Sequence, residues 1–309
     1  MSETAPFRSG FIALIGRPNV GKSTLLNRLL GQKVAIVSDK PQTTRNRILG
    51  VKHLSEGQMV FFDTPGIHRP KFKLNQRMVR TAVETLREVD LIFFLVEADS
   101  KGSEAGSDGG GLIGPGDQAI LDLLKGIETP VILVVNKVDR VKKEALLPLI
   151  DAFSRSRSFS EIVPVSALTG ENVDRLLSVA LPLLPEGEPI FPEETVTDQP
   201  VRFIASEMIR EKLLQKTREE IPYSLAVVIE DFKEDGEKNL VSIQATIYVE
   251  RDSQKGIVIG QKGRLLKEVG TEARADLEAL LGVKVFLELW VKVKKDWRRS
   301  DSFLGEIGL

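Results

Sequence analysis

Two stretches of this chain have the residue types and spacing needed to hold a phosphate chain. Gly16 to Ser23 reads GRPNVGKS, directly after the apolar FIALIG and directly before the helical TLLNRLLG. Gly16 and Gly21 let successive backbone N–H groups and a helix N-terminus face phosphate oxygens. Lys22 supplies a point charge to β- and γ-phosphates and Ser23 a hydroxyl for Mg²⁺, while Asn19, Val20 and Thr24 complete the loop wall. The second stretch, MVFFDTPG, is an apolar strand ending in Asp63. Asp63 is placed to hold Mg²⁺ through its water shell, and Gly66 can offer a backbone N–H to a γ-phosphate.

Two more segments select the base. VILVVNKVD ends a strand in Asn136, Lys137 and Asp139. A carboxylate at 139 can accept from N1–H and the 2-amino group of guanine, whereas adenine has an acceptor at N1 and no such amine, so GTP is selected over ATP. VPVSAL places Ser166 and Ala167 at a strand end, where a backbone N–H can reach guanine O6. Between the phosphate segments, KPQTTRNR carries adjacent threonines, one of which should close over Mg²⁺ and the γ-phosphate. Thr44 is expected in that role, with Thr43 the alternative. After Gly66 comes Ile67, where Ras-type GTPases carry a water-orienting glutamine. An isoleucine orients nothing, so hydrolysis must be arranged otherwise.

These motifs need a scaffold. The chain has 309 residues, more than one core usually serves, so two domains are expected. Up to about residue 183, strand-length apolar runs alternate with helix-compatible segments: FIALIG, MVFFD, LIFFLVE, VILVVN and EIVPVSA. Nearly continuous apolar strands imply an α/β P-loop domain with a mostly parallel sheet, covered on both faces. Residues 184–200 are rich in proline and acids and read as a linker. Residues 99–116, rich in Gly and Ser, read as a flexible insertion at a surface turn. With no cysteine and only His53 and His68, disulfides, zinc–thiolate sites and histidine-rich metal sites are excluded. His68 is assigned a surface or switch role rather than that of a base. The start MSETAPFRSG has no apolar signal core and every apolar run is too short to span a bilayer, so a cytoplasmic protein is expected.

Residues 201–309 read helix, strand, strand, helix-turn-helix, strand: the α+β type II KH order. The turn holds Gly260-Gln261-Lys262-Gly263 between the apolar IVI ending at Ile259 and a long helix opening with Arg264. Such a GxxG lets a nucleic-acid backbone approach closely, as KH domains do when they clamp about four nucleotides. From Arg251 to Arg299 twelve Lys/Arg stand against seven Asp/Glu, which suits phosphate contact despite a net charge of −1 for the whole chain. In the last strand Val283, Val285, Leu287, Leu289, Val291 and Val293 share one face. Phe286 and Trp290 lie on the other; stacking on bases is open to them, but packing against the linker or first domain is expected.

GRPNVGKST, KPQTTRNRILG, DTPGIHRPK, NKVD, VSAL, VIGQKGRLLKEVG and ELWVKVKKDW together resemble the Era family, bacterial ribosome-assembly GTPases with a C-terminal KH domain. The likeness spans essentially the whole chain; the 99–116 insertion and the terminal RRSDSFLGEIGL depart from it. It implies a GTP/GDP switch that binds the 3′ end of 16S ribosomal RNA and assists 30S maturation on the pre-30S particle, with a basic C-terminal tail touching a nearby hairpin. A monomer is expected, with ribosomal proteins and the inner face of the cell membrane open as further contacts. Related GTPases with an asparagine in the phosphate loop hold K⁺ where an arginine finger would act. Asn19 occupies that place, with K⁺ completed by the PQTTR backbone and the water positioned near Gly66. The competing readings are a GTP-dependent RNA scaffold with incidental turnover, or a GTPase docking on protein or membrane through its basic C-terminal domain.

Overall fold

The computed structural model describes residues 6–67, 72–99 and 112–309. His68 and most of the 99–116 insertion fall outside that range. The chain divides into two compact units, one of Met1–Ala35, Thr44–Arg69 and Met78–Asp198, the other of Ile36–Thr43, Pro70–Arg77 and Gln199–Leu309.

Among the described residues, the first unit is built on strands β1 (Arg8–Gly16), β2 (Ile48–Leu54), β3 (Gly57–Asp63), β4 (Leu91–Glu97), β5 (Val131–Asn136) and β6 (Glu161–Pro164). Their order is β2-β3-β1-β4-β5-β6. Only β2 runs antiparallel, against β3. Every residue of β3 and β5 is buried, as expected for strands covered on both faces. Helices α1 (Lys22–Leu30), α2 (Lys73–Thr85, part of this unit from Met78 on), α3 (Pro115–Leu124), α4 (Leu146–Ser156) and α5 (Val173–Ala180) follow β1, β3, β4, β5 and β6 in turn. In α5, Val173, Leu176, Leu177 and Ala180 are buried at the i, i+3, i+4, i+7 spacing of an apolar stripe. Because β1 lies between β3 and β4, the chain leaves it in opposite directions on its two sides. That switch point opens the crevice in which such sheets bind ligands, and the phosphate loop follows β1 there.

The antiparallel edge strand β2 was not among the apolar runs; its ILGVKHL sequence turns polar at Lys52 and His53. Its exposed edge is covered by the proline-rich segment: Val51 N–H donates to Val196 O (2.8 Å) and Thr197 Oγ1 to Leu49 O (2.6 Å). Pairing of this kind protects an edge from adventitious strands.

The second unit contains α6 (Val201–Lys216), α7 (Ile221–Ser224), β7 (Ala226–Asp235), β8 (Leu240–Val249), α8 (Asp252–Ile259), α9 (Arg264–Leu281), β9 (Lys284–Val293) and α10 (Asp301–Glu306). Its sheet order is β7-β8-β9, with β7 and β8 antiparallel and β8 and β9 parallel. Ile209 and Leu213 of α6 and Val269 and Ala273 of α9 share a core with Ala245, Ile247 and Val291 of the sheet. After β9 the chain does not trail off as a free basic tail. Trp297 is fully buried and its Nε1–H donates to Ser224 O at 2.9 Å. Phe303 of α10 meets Tyr248 edge-on, ring centroids 5.0 Å apart, and Arg298 pairs with Glu250. Within this unit, Val37 N–H donates to Glu211 Oε1 (2.9 Å) and Arg210 donates to Thr43 O, so α6 holds the 36–43 segment from two buried side chains.

Candidate functional site

Helix α1 starts at Lys22 because Gly21, at φ 98°, turns the chain out of β1 and into the helix. Lys22 is buried, and its ammonium donates to Arg17 O (3.0 Å) and Gly16 O (3.3 Å). Burial pushes its pKa down to about 8 against the pull of the Asp63 carboxylate. Asn19, at the exposed crest of the loop, is left-handed with φ 65°. Val20 is buried and Thr24 half-buried in the first turn of α1.

Three oxygens converge beside this loop. Ser23 Oγ lies 2.8 Å from Thr44 Oγ1 and donates to Asp63 Oδ2 at 2.5 Å, while Thr44 Oγ1 donates to the same oxygen at 3.2 Å. Thr43 faces elsewhere, its hydroxyl donating to Lys40 O at 2.6 Å. Asp63 is fully buried, which raises its pKa while Lys22, Ser23 and Thr44 act the other way. Its Oδ1 is buried with no hydrogen-bond partner. Two hydroxyls and an under-satisfied carboxylate form an oxygen-only set that suits a hard cation such as Mg²⁺.

Ile67 is 7% exposed and belongs to the core of the first unit. Its N–H donates to Gly16 O at 3.2 Å, tying the start of this segment to the phosphate loop. At Gly66 a Cβ would sit 2.8 Å from both N and Cα of Pro18, so only glycine permits this approach. The isoleucine is therefore an anchor of this core.

On the base-reading side, Asn136 joins two loops. Its Nδ2 donates to Val20 O (2.8 Å) and its Oδ1 accepts from Ala167 N–H (3.0 Å). Ser166 N–H donates to Glu171 O at 3.1 Å. The amides of Ser166 and Ala167 are thus each paired within the protein. The Ser166 hydroxyl does something the sequence did not signal: it donates to Asp139 Oδ1 at 2.6 Å and orients an exposed carboxylate. Lys137, left-handed at φ 65°, donates to Glu97 Oε1 at 2.9 Å. Asn136→Ala leaves Val20 O and Ala167 N–H unpaired in buried surroundings. It should lower stability by about 2–5 kcal/mol, read by chemical denaturation.

In the second unit Ile259 ends α8, and Gly260 and Gly263 turn the chain at φ 74° and 77°. Gln261, Lys262 and Arg264 are exposed, and Arg264 pairs with Glu268 at 2.9 Å. A groove of ≈ 410 Å³ beside this turn is lined by Gly263, Lys267, Thr271, Arg274 and Phe286, among others. Phe286 and Trp290 are 54% and 60% exposed rather than packed away as expected, and Phe286 stands at the groove. Its place there was hidden in the sequence because α9 and β9 meet through tertiary packing.

A phosphate loop at a sheet switch point, an NKVD segment at the end of β5 and a GxxG turn in an αββααβ unit define a P-loop GTP-binding protein carrying a type II KH domain. Comparison with known families agrees: "50S ribosome-binding GTPase" matches residues 11–137 and "KH domain" residues 220–298. GTPase Era of Geotalea uraniireducens is 56% identical over 302 residues, 98% of each chain. Era in complex with MgGDPNP and nucleotides 1506–1542 of 16S ribosomal RNA is 45% identical, with TM-score 0.92 over 98% of this chain and 99% of that one. Aquifex aeolicus Era, as a variant bound to GDP·AlF4⁻, is also 45% identical, with TM-score 0.91 over the same shares. The chain belongs to the Era family of GTPases.

Proposed function

We propose that this protein is a Mg²⁺-dependent GTP switch that binds the 3′ end of 16S ribosomal RNA and assists maturation of the 30S subunit. The observation that carries the switch reading is the closure of the Thr44 hydroxyl onto Ser23 and Asp63. In this reading residues 1–183 form the GTPase domain, 184–200 the linker and 201–309 the RNA-binding domain.

Gly16, Asn19, Val20, Gly21, Lys22, Ser23 and Thr24 wrap the phosphates, and Lys22 turns from the Arg17 and Gly16 carbonyls to the β/γ-phosphates. Ser23, Thr44 and Asp63 would hold Mg²⁺, Asp63 through water. The bound ion would supply charge neutralisation on the phosphate oxygens. Gly66 N–H faces the γ-phosphate, and backbone near Gly66 positions the attacking water that Ile67 cannot. Asp139, held by Ser166, reads guanine, with Asn136, Lys137 and Ala167 shaping the pocket. Asn19 would hold K⁺, which would supply the positive charge an arginine finger brings.

The RNA reading rests on the Gly260–Gly263 turn beside a basic, aromatic-edged groove, and on the 16S fragment bound by the similar Era structure. Ile259, Gln261, Lys262 and Arg264 complete the RNA contact. No helix among the described residues is long and apolar enough to cross a membrane. A cytoplasmic monomer working on the pre-30S particle, with ribosomal proteins and the inner membrane face as secondary contacts, completes the proposal.

GTP turnover measured in potassium and in sodium, each with and without single-stranded RNA matching the 16S 3′ tail, tests it. Stimulation by both supports a switch gated by RNA; indifference to both leaves a nucleotide-dependent scaffold. Asn19→Ala should abolish the response to potassium, about 10-fold or more in kcat by analogy with other charge-stabilising groups. A potassium response that survives in this variant removes Asn19 from the site.

A further inference from the structure

Arg17 and Asp117 form an ion pair that no phosphate-loop motif requires. Arg17 Nε donates to Asp117 Oδ1 at 2.8 Å, with the side chains 19% and 1% exposed. Asp117 lies in the first turn of α3, a hundred residues from its partner, and α3 also grips the arginine stem: a Cβ on Gly116 would sit 2.4 Å from Arg17 Cδ. Both the head and the stem of Arg17 are therefore held by α3.

What is held this way is a piece of main chain with several dependants. Arg17 O accepts from Lys22 Nζ at 3.0 Å. Gly16 O accepts from Ile67 N–H at 3.2 Å. Pro18 is the surface against which Gly66 packs with no room for a Cβ. Lys22 and Gly66 are the groups that face the γ-phosphate in the function proposed above, and this inference rests on that reading.

We infer that Asp117 is a positioning residue for GTP hydrolysis: through Arg17 it fixes the 16–18 backbone that sets Lys22 and Gly66 against the γ-phosphate. It touches neither nucleotide nor metal itself. GDP has no γ-phosphate, so loss of this register should fall on turnover and on the preference for GTP over GDP, and little on GDP affinity. A displacement on the ångström scale at a reacting group lowers rate by about 100-fold.

The test compares wild type, Asp117→Asn and Arg17→Lys for kcat, for affinity towards GDP and a non-hydrolysable GTP analogue, and for thermal midpoint. Asp117→Asn keeps an acceptor oxygen and loses the charge; Arg17→Lys keeps the charge and loses the planar fork. The expected result is a kcat lowered about 10- to 100-fold in both, with GDP affinity within about 3-fold of wild type and the analogue-to-GDP preference reduced. Unchanged kcat overturns the inference, as does a loss of kcat, GDP and analogue affinity in step with the thermal midpoint.

A double variant, Arg17→Met with Asp117→Leu, separates stability from positioning, because an apolar pair in place of a buried ion pair is often neutral or stabilising. It should regain the thermal midpoint while kcat stays low; recovery of kcat with the midpoint overturns the inference. If wild type itself hydrolyses no GTP, the GTPase reading fails instead, and the two failures are distinct.

Discussion

Asp139→Asn is expected to weaken GTP binding by about 10³-fold or more and to strengthen binding of xanthosine triphosphate by a comparable factor. The ionised carboxylate is acceptor-only, matching the N1–H and 2-amino donors of guanine. An asparagine keeps one acceptor oxygen and presents NH₂ with the other, which meets the guanine 2-amino group donor to donor. Xanthine carries a carbonyl at C2, so the new NH₂ finds an acceptor while N1–H still meets the amide oxygen. Sites built around substrate hydrogen bonds discriminate by about 10⁴–10⁵, so even a partial mismatch here is large. The Ser166 hydroxyl, 2.6 Å from Asp139 Oδ1, can donate or accept and should hold the asparagine in place. Competition binding and turnover with both nucleotides check this. A variant equally poor with both would mean that residue 139 supports the loop and does not read the base.

Gly263→Asp should lower affinity for single-stranded 16S 3′-tail RNA by about 100-fold or more. In the proposed RNA contact the turn would offer phosphate a close approach to backbone and a basic rim, and a carboxylate there would both block that approach and repel the strand. Gly263 is the cleaner of the two glycines to alter. At φ 77° it has nothing within 4 Å of a built Cβ, and aspartate tolerates the left-handed region better than most residues. Gly260 differs, since a Cβ there would lie 2.8 Å from Leu265 Cβ, so Gly260→Asp should also destabilise the turn. The thermal midpoint of Gly263→Asp should therefore stay near wild type while that of Gly260→Asp falls. Titration of labelled RNA at two salt concentrations reads the effect. Undiminished RNA affinity in Gly263→Asp would move the interface to another surface, with protein or membrane as the partner to examine.

What the chain declares on its own is whatever depends on short-range pattern. LIFFLVE and VILVVN became β4 and β5 residue for residue, because an unbroken apolar run has no polar face to leave in solvent. The phosphate loop, Asp63 and the GxxG turn are equally local: each is a strand or helix end followed by glycines whose backbone freedom the geometry needs. The choice between Thr43 and Thr44 was not local. Adjacent and chemically identical, they are separated only by which hydroxyl faces Ser23 and Asp63 once β3 pairs with β1. The same holds for Asn136, whose amide spans from Val20 to Ala167, and for the amides of 166 and 167, which pair inside the protein. Arg17 and Asp117 meet only because the sheet order brings the ends of β1 and β4 side by side. Motifs are legible where residues a few positions apart share one backbone turn. Partnerships across a hundred residues are decided by which strands pair and which helix covers them.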